Sequence, residues 1–204
     1  MPVKVAIIGA GSIGFTRGAV RDILCVPELR DTQFAFHDIN ARNLEMVYQL
    51  CNRDIEASGL PAKVTATLDR REALRDANYI YSFVRVGGLE GFQTDIDIPL
   101  KYGVDQCVGD TLAPGGIMYA QRTIPALLSF MKDMSEVSAP GAMLINHSNP
   151  MVMNTWACNK YGYGVGVVGL CHGVEGGWHQ IADVMGVSRK DVDIICAGIN
   201  HQTW

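Results

Sequence analysis

Along the chain, short runs that are apolar at nearly every position alternate with longer segments in which apolar residues recur at helical spacing. VKVAIIG leads into a helical stretch through about Cys25, QFAFHD into one over roughly 40–57, and KVTATL into the short helical REALRDA. YIYSFVRV precedes a long helix over roughly 116–137. AMLINHS, MVMNTWACNK, GVGVVGL, a helix near 178–185 and the apolar run DIICAGIN complete the series. A strand that is apolar on both sides must be buried on both faces, and parallel strands joined through helices achieve this. The pattern therefore predicts an α/β fold, a doubly wound parallel sheet, with DIICAGIN as a further strand. The glycine-rich VGGLEGF (86–92) and GDTLAPGG (109–116) read as functional loops, and Asp95 and Asp97 in TDIDIPL as caps of the helix that follows. No repeat, low-complexity tract or proline-rich linker divides residues 1–204, which read as one domain with at most the start of a second.

Composition narrows the class. With 48% apolar and 19% charged residues the chain suits a soluble globular protein. No apolar run approaches the roughly 20 residues needed to span a bilayer, and MPVKVAII enters a strand without a signal-peptide cleavage pattern, so the expected location is the cytoplasm. A formal charge of −4 without a basic cluster argues against a nucleic-acid surface. Six scattered cysteines form no CxxC pair, which suggests neither a disulfide framework nor a structural zinc site.

Candidate chemistry begins at Gly9, Gly11 and Gly14, a complete GxGxxG between a strand and a helix. The first glycine permits a tight turn, the second lets a pyrophosphate approach the backbone, and the third lets helix pack on strand while the helix N-terminus faces the phosphates. Asp38 ends the next strand 24 residues beyond Gly14, where a carboxylate accepts ribose hydroxyls and repels a 2′-phosphate. The pattern reads as a Rossmann-like domain for NAD rather than NADP; the alternative is a plain glycine turn with Asp38 as an ordinary helix-capping residue. In such sheets ligands collect at the carboxyl ends of the strands. The same rim should then carry Arg85, Asn149, Cys171, His172 and His201.

Cys171 and His201 offer a thiolate and an imidazole from neighbouring strand ends, a donor pair that would leave coordination positions open for catalysis; a buried cysteine and a strand-end histidine also serve packing alone. His172 reads equally as a substrate contact or as a satisfied polar residue. Asp110, in GDTLAPGG, could act as a general acid if burial raised its pKa, or could close an Asx turn or cap a helix. His37, His147 and His179 read as structural.

GAGSIGF, FHDIN, VRVGG, DTLAPGGIMYAQRTIP, NHSNPM, VGLCHG and AGINH, in this order through nearly the whole chain, resemble glycoside hydrolase family 4, the NAD- and manganese-dependent glycosidases, and among them the melibiase-like α-galactosidase branch. The resemblance implies a hydrolase whose chemistry is redox, unlike glycosidases with two carboxylates across the bond: oxidation at C3 of the sugar, elimination of the aglycone, addition of water and re-reduction. It implies Cys171 and His201 as Mn²⁺ ligands, Asn149 and His172 as sugar contacts, and Asp110 as the acid that assists the leaving group. Gly9, Gly11, Ser12, Gly14 and Asp38 match its NAD site. It further implies a glycoside substrate and a homo-oligomer, with the catalytic tyrosine base beyond the segment NHQTW, so that the chain reads as the N-terminal portion of a longer glycosidase. The competing expectations are a 2-hydroxyacid-type NAD-dependent dehydrogenase and an NAD-binding module without turnover.

Overall fold

The computed structural model describes residues 2–198. Its frame is one sheet of six strands, all parallel, in the order β3-β2-β1-β4-β5-β6. The strands are β1 (Lys4–Ile8), β2 (Gln33–His37), β3 (Lys63–Thr67), β4 (Tyr79–Ser82), β5 (Met143–Asn146) and β6 (Gly166–Gly169). The helices are α1 (Ile13–Cys25), α2 (Ala41–Ser58), α3 (Arg70–Leu74), α4 (Gly88–Leu100), α5 (Pro114–Val137), α6 (Met151–Tyr161) and α7 (His172–Met185). This is the predicted doubly wound α/β architecture.

Side chains alternate across the sheet, so the continuous apolar runs feed two cores. Val5, Ile7, Phe34 and Phe36 pack with Val20 and Leu24 of α1 and with Val47, Cys51 and Ile55 of α2, whose spacing puts them on one helix face. Ala6, Ile8, Ala35, Ile80 and Leu144 face the opposite way, against Leu74 of α3, Leu127 and Met131 of α5 and Cys158 of α6. Local signals bound these elements. Asn40 accepts from the Asn43 amide to start α2, and Gly59, at φ 66°, ends it in the left-handed conformation. Over β4–β6, the face opposite α5 stays partly open among the described residues: Tyr79 is 44% and Met143 and Val168 are each 38% exposed.

Three expectations are corrected. VGGLEGF is not a loop: Gly87, at φ 88°, makes a tight N-cap and α4 begins at Gly88. Asp95 and Asp97 accordingly lie inside α4 rather than before a helix, and Asp95 is buried because Arg122 of α5 neutralises it. DIICAGIN supplies no strand among its described residues, 193–198, and just before it Trp178 Nε1 of α7 donates to the Val192 carbonyl at 2.9 Å. In addition α7 starts six residues earlier than the helix foreseen near 178–185, because the glycines of HGVEGG weaken its helical pattern without preventing the helix.

Candidate active site

β1 ends at Ile8 and the chain turns through Gly9 at φ 85°. A Cβ on Gly9 would lie 3.0 Å from the Phe83 carbonyl carbon and oxygen, so the turn and the end of β4 meet backbone to backbone. The Gly9 and Ala10 amides both donate to the His37 carbonyl at 3.0 Å. Gly11 donates to Asp38 Oδ2 at 2.8 Å, and Asp38 Oδ1 accepts from Asn40 N–H at 2.8 Å. The carboxylate is thereby fixed against the glycine turn, and a Cβ on Gly11 would come within 2.8 Å of Asp38 Oδ2. Ser12 is the N-cap of α1; its hydroxyl makes no capping bond, and no acidic residue occupies the first helical turn. Amides left uncapped at a helix N-terminus are suited to a phosphate. Gly14 differs from expectation in one respect: a Cβ there would meet nothing within 4 Å, so packing of helix on strand does not demand that glycine.

The second part of the rim is built by a buried polar network under the turn after β5. Asn146 Oδ1 accepts from the Ser148 amide at 3.1 Å, while the Ser148 carbonyl accepts from Asn146 Nδ2 and Asn154 Nδ2, each at 3.1 Å. Ser148 Oγ takes the Val84 amide at 3.0 Å, joining this turn to the end of β4. The network presents Asn149, whose Nδ2 donates to Asp110 Oδ2 at 2.9 Å. Arg85 Nη2 stands 3.4 Å from the same oxygen, and Asp110 Oδ1 has no partner among the described residues. The structure thus brings together Asp110 and Asn149 with Arg85, a residue expected on the rim without an assigned role.

β5 and β6 pair with Asn146 opposite Gly169, so the segments carrying Asn149 and Cys171 leave adjacent strands. Cys171 is the half-buried N-cap of α7, and its Sγ accepts from the Gly173 amide at 3.4 Å. His172 opens the helix and is exposed. His147 stacks on Tyr81 with ring centroids 5.7 Å apart. Burial lowers the His147 pKa, and the charge of nearby His172 lowers it further. His201 lies outside the described residues. Among those described, no group of three or more His, Cys, Asp or Glu could hold a metal, which leaves Cys171 as the described member of the expected donor pair. A thiol at a helix N-cap can ligate a divalent ion as its thiolate.

A cavity of ≈ 770 Å³ lies between α1 and α2, running from Ile13 and Gly14 at the entrance of α1 to Ile55 and Leu60. Arg17 and Asp54 on its wall are paired with each other at 2.6 Å, so the polar convergence of Asp110, Asn149 and Arg85 on the rim marks the better site.

The chain matches the family described as Family 4 glycosyl hydrolase over residues 4–187. It is 59% identical over 201 residues to an alpha-galactosidase of Rhizobium meliloti (strain 1021), covering 98% of this chain and 41% of that protein. It is 32% identical over 202 residues to an alpha-galactosidase of Bacillus subtilis (strain 168), covering 98% of this chain and 46% of the relative. The structure of the 6-phospho-beta glucosidase from Thermotoga maritima with manganese, NAD+ and glucose-6-phosphate superposes at a TM-score of 0.83 and 27% identity, over 94% of this chain and 45% of that one. The chain therefore spans less than half the length of these relatives.

Proposed function

The chain belongs to the family 4 glycosyl hydrolases, and from that membership we propose that it holds the NAD and Mn²⁺ of an α-glycosidase acting on α-galactosides. The observation that carries the proposal is the convergence, on one rim of the sheet, of the Gly11–Asp38 turn and the Asp110–Asn149 hydrogen bond.

Bound NAD would supply a reversible oxidation of the sugar at C3, and Mn²⁺ would polarise the neighbouring sugar oxygens. The residues of the chain do the rest. Gly9 and Gly11 let the backbone close on the pyrophosphate, Ser12 and the first amides of α1 bind it, and Gly14 leaves the helix entrance open. Asp38 takes the adenosine ribose hydroxyls and, by its charge, rejects a 2′-phosphate. Cys171 and His201 hold the metal. Asn149 and His172 hydrogen-bond the sugar hydroxyls and orient the ring. Asp110, anchored at Oδ2 by Asn149 and Arg85, carries a proton on Oδ1 to the glycosidic oxygen as the C1–O bond breaks. The aglycone leaves as a neutral alcohol while the C2 proton passes to a base and C1=C2 forms; Asp110 is left as the carboxylate, and water later adds across C1=C2.

The same reading puts the protein in the cytoplasm. The free thiols of Cys25, Cys51, Cys107, Cys158 and Cys196 support a reducing compartment. No helix among the described residues is long and apolar enough to cross a membrane. Homo-oligomerisation belongs to the proposal too, supported by exposed apolar residues such as Val184 and Met185 on α7. A 2-hydroxyacid-type dehydrogenase would share the sheet and the glycine turn, but a family match over residues 4–187 does not favour it.

The test is hydrolysis of an aryl α-galactoside by the full-length protein with NAD, Mn²⁺ and reductant omitted in turn. Each omission should abolish turnover. Activity indifferent to NAD overturns the redox mechanism, and stoichiometric NADH release without a metal requirement would establish the dehydrogenase instead.

A further inference from the structure

Residues 101–113 join α4 to α5 without helix or strand and carry Asp110. One side chain ties this loop to both helices. Gln106 Nε2 donates to the Asp95 carbonyl of α4 at 2.9 Å, and its Oε1 accepts from the Gly115 amide of α5 at 3.3 Å. Two glycines make room for it: a Cβ on Gly109 would lie 2.6 Å from Gln106 Cδ, and one on Gly115 would lie 2.5 Å from Gln106 Nε2.

Asp95 anchors the other side as well. Its carboxylate, on a residue only 4% exposed, takes Arg122 Nη1 at 2.8 Å and Nη2 at 2.6 Å in a two-pronged grip. Arg122 Nε donates to the Val86 carbonyl at 3.2 Å, and the guanidinium fills the space over Gly87 and Gly91. Val86 follows Arg85, whose guanidinium carbon lies 4.8 Å from the Phe92 ring centroid and 5.0 Å from that of Tyr119. Arg85 then reaches Asp110 Oδ2 at 3.4 Å. Both the loop bearing Asp110 and the arginine facing it are therefore referred to the same buried residue. Stability alone does not call for such a pair, because apolar side chains of similar volume often replace a buried ion pair without loss.

We infer that Gln106 and the Asp95–Arg122 pair are positioning residues for Asp110, holding the 101–113 loop and Arg85 in the relation that keeps Oδ2 anchored and Oδ1 available to the departing oxygen. The inference rests on the reading of Asp110 as the acid. None of the three touches the reacting atoms; each acts through Asp110.

The experiment compares two substrates in the full-length holoenzyme: a dinitrophenyl α-galactoside, whose leaving group needs no proton, and methyl α-galactoside, whose leaving group does. Relative to wild type, Gln106→Ala should lower kcat/KM for the methyl glycoside by about 10- to 100-fold and for the dinitrophenyl glycoside by less than about 3-fold. Arg122→Lys keeps the charge but loses the two-pronged grip, and should give the same split. Gln106→Ala combined with Asp110→Asn should lose no more than Asp110→Asn alone. The ratio of the two rates does not depend on how much enzyme is folded, so partial misfolding leaves the outcome readable. Equal losses on both substrates, or additivity with Asp110→Asn, overturn the positioning role. If Asp110→Asn itself loses both substrates equally, the acid assignment fails, and the inference fails with it for that separate reason.

Discussion

His37 shows how one residue's surroundings set a property of the chain. It ends β2 directly before Asp38 and is 7% exposed, with its Nδ1 3.3 Å from the Thr67 carbonyl. Burial pushes its pKa below the ordinary 6.5 against the Thr67 carbonyl; Arg70 adds to the depression, while Asp38 and Asp69 oppose it. As pH falls through 6.5 the unfolded chain binds the proton first, so the folded state loses stability from there until the depressed folded value is passed, where the loss levels off. The urea midpoint should therefore drop between about pH 7.5 and about pH 5.5, and His37→Gln should flatten that slope. Identical slopes in the two proteins would remove His37 as the cause. The same scale separates legible from illegible site residues. Asp38, Asn149 and Cys171 could be placed on the rim because each follows an apolar run, whereas Gln106 sits in an irregular loop and has no pattern to betray it.

At the level of elements, the glycine turn shows which of its three positions the fold demands. A methyl group on Gly11 would meet the Asp38 carboxylate and Asn43 Cβ, whereas one on Gly14 would meet nothing. Gly11→Ala should displace Asp38 and weaken NAD binding by tenfold or more, since a one-residue clash of this kind removes a hydrogen bond to a charged group worth about 1.5–3 kcal/mol. Gly14→Ala should stabilise the ligand-free chain by about 0.5–1 kcal/mol through helix propensity. Calorimetric titration with NAD and thermal unfolding of both variants measure these effects; equal affinities in wild type and Gly11→Ala would refute the first. α4 was hidden in the sequence for a related reason. Its first turn is Gly-rich and its interior holds two aspartates, features of a loop when read locally. The helix forms because α5 supplies Arg122 to one of those aspartates.

Across the whole molecule, the sheet has two unequal sides. Both faces of β1 and β2 are closed by helices, but over β4–β6 Tyr79, Met143 and Val168 remain open, and Leu170 nearby is 41% exposed. Contiguous apolar surface of this kind marks a contact site. The 204-residue chain on its own should bind an apolar fluorescent dye in its native state, and Met143→Lys with Val168→Lys should reduce that binding while leaving the thermal unfolding midpoint within about 2–4 °C. Dye binding undiminished in the double variant would place the open surface elsewhere.

By itself the order of apolar runs and glycines determined a parallel, doubly wound sheet with a dinucleotide turn, because periodicity and backbone freedom are local properties written into neighbouring residues. It also placed Asn149 and Cys171 at strand ends, since ligands gather where strands stop. Only the tertiary structure decided that Asp110 meets Asn149 and Arg85, that Asp95 is buried beneath Arg122, and that α4 replaces a loop. Those outcomes depend on contacts between residues far apart in the chain, where one side chain's charge or hydrogen bond is satisfied by another that no spacing rule connects to it.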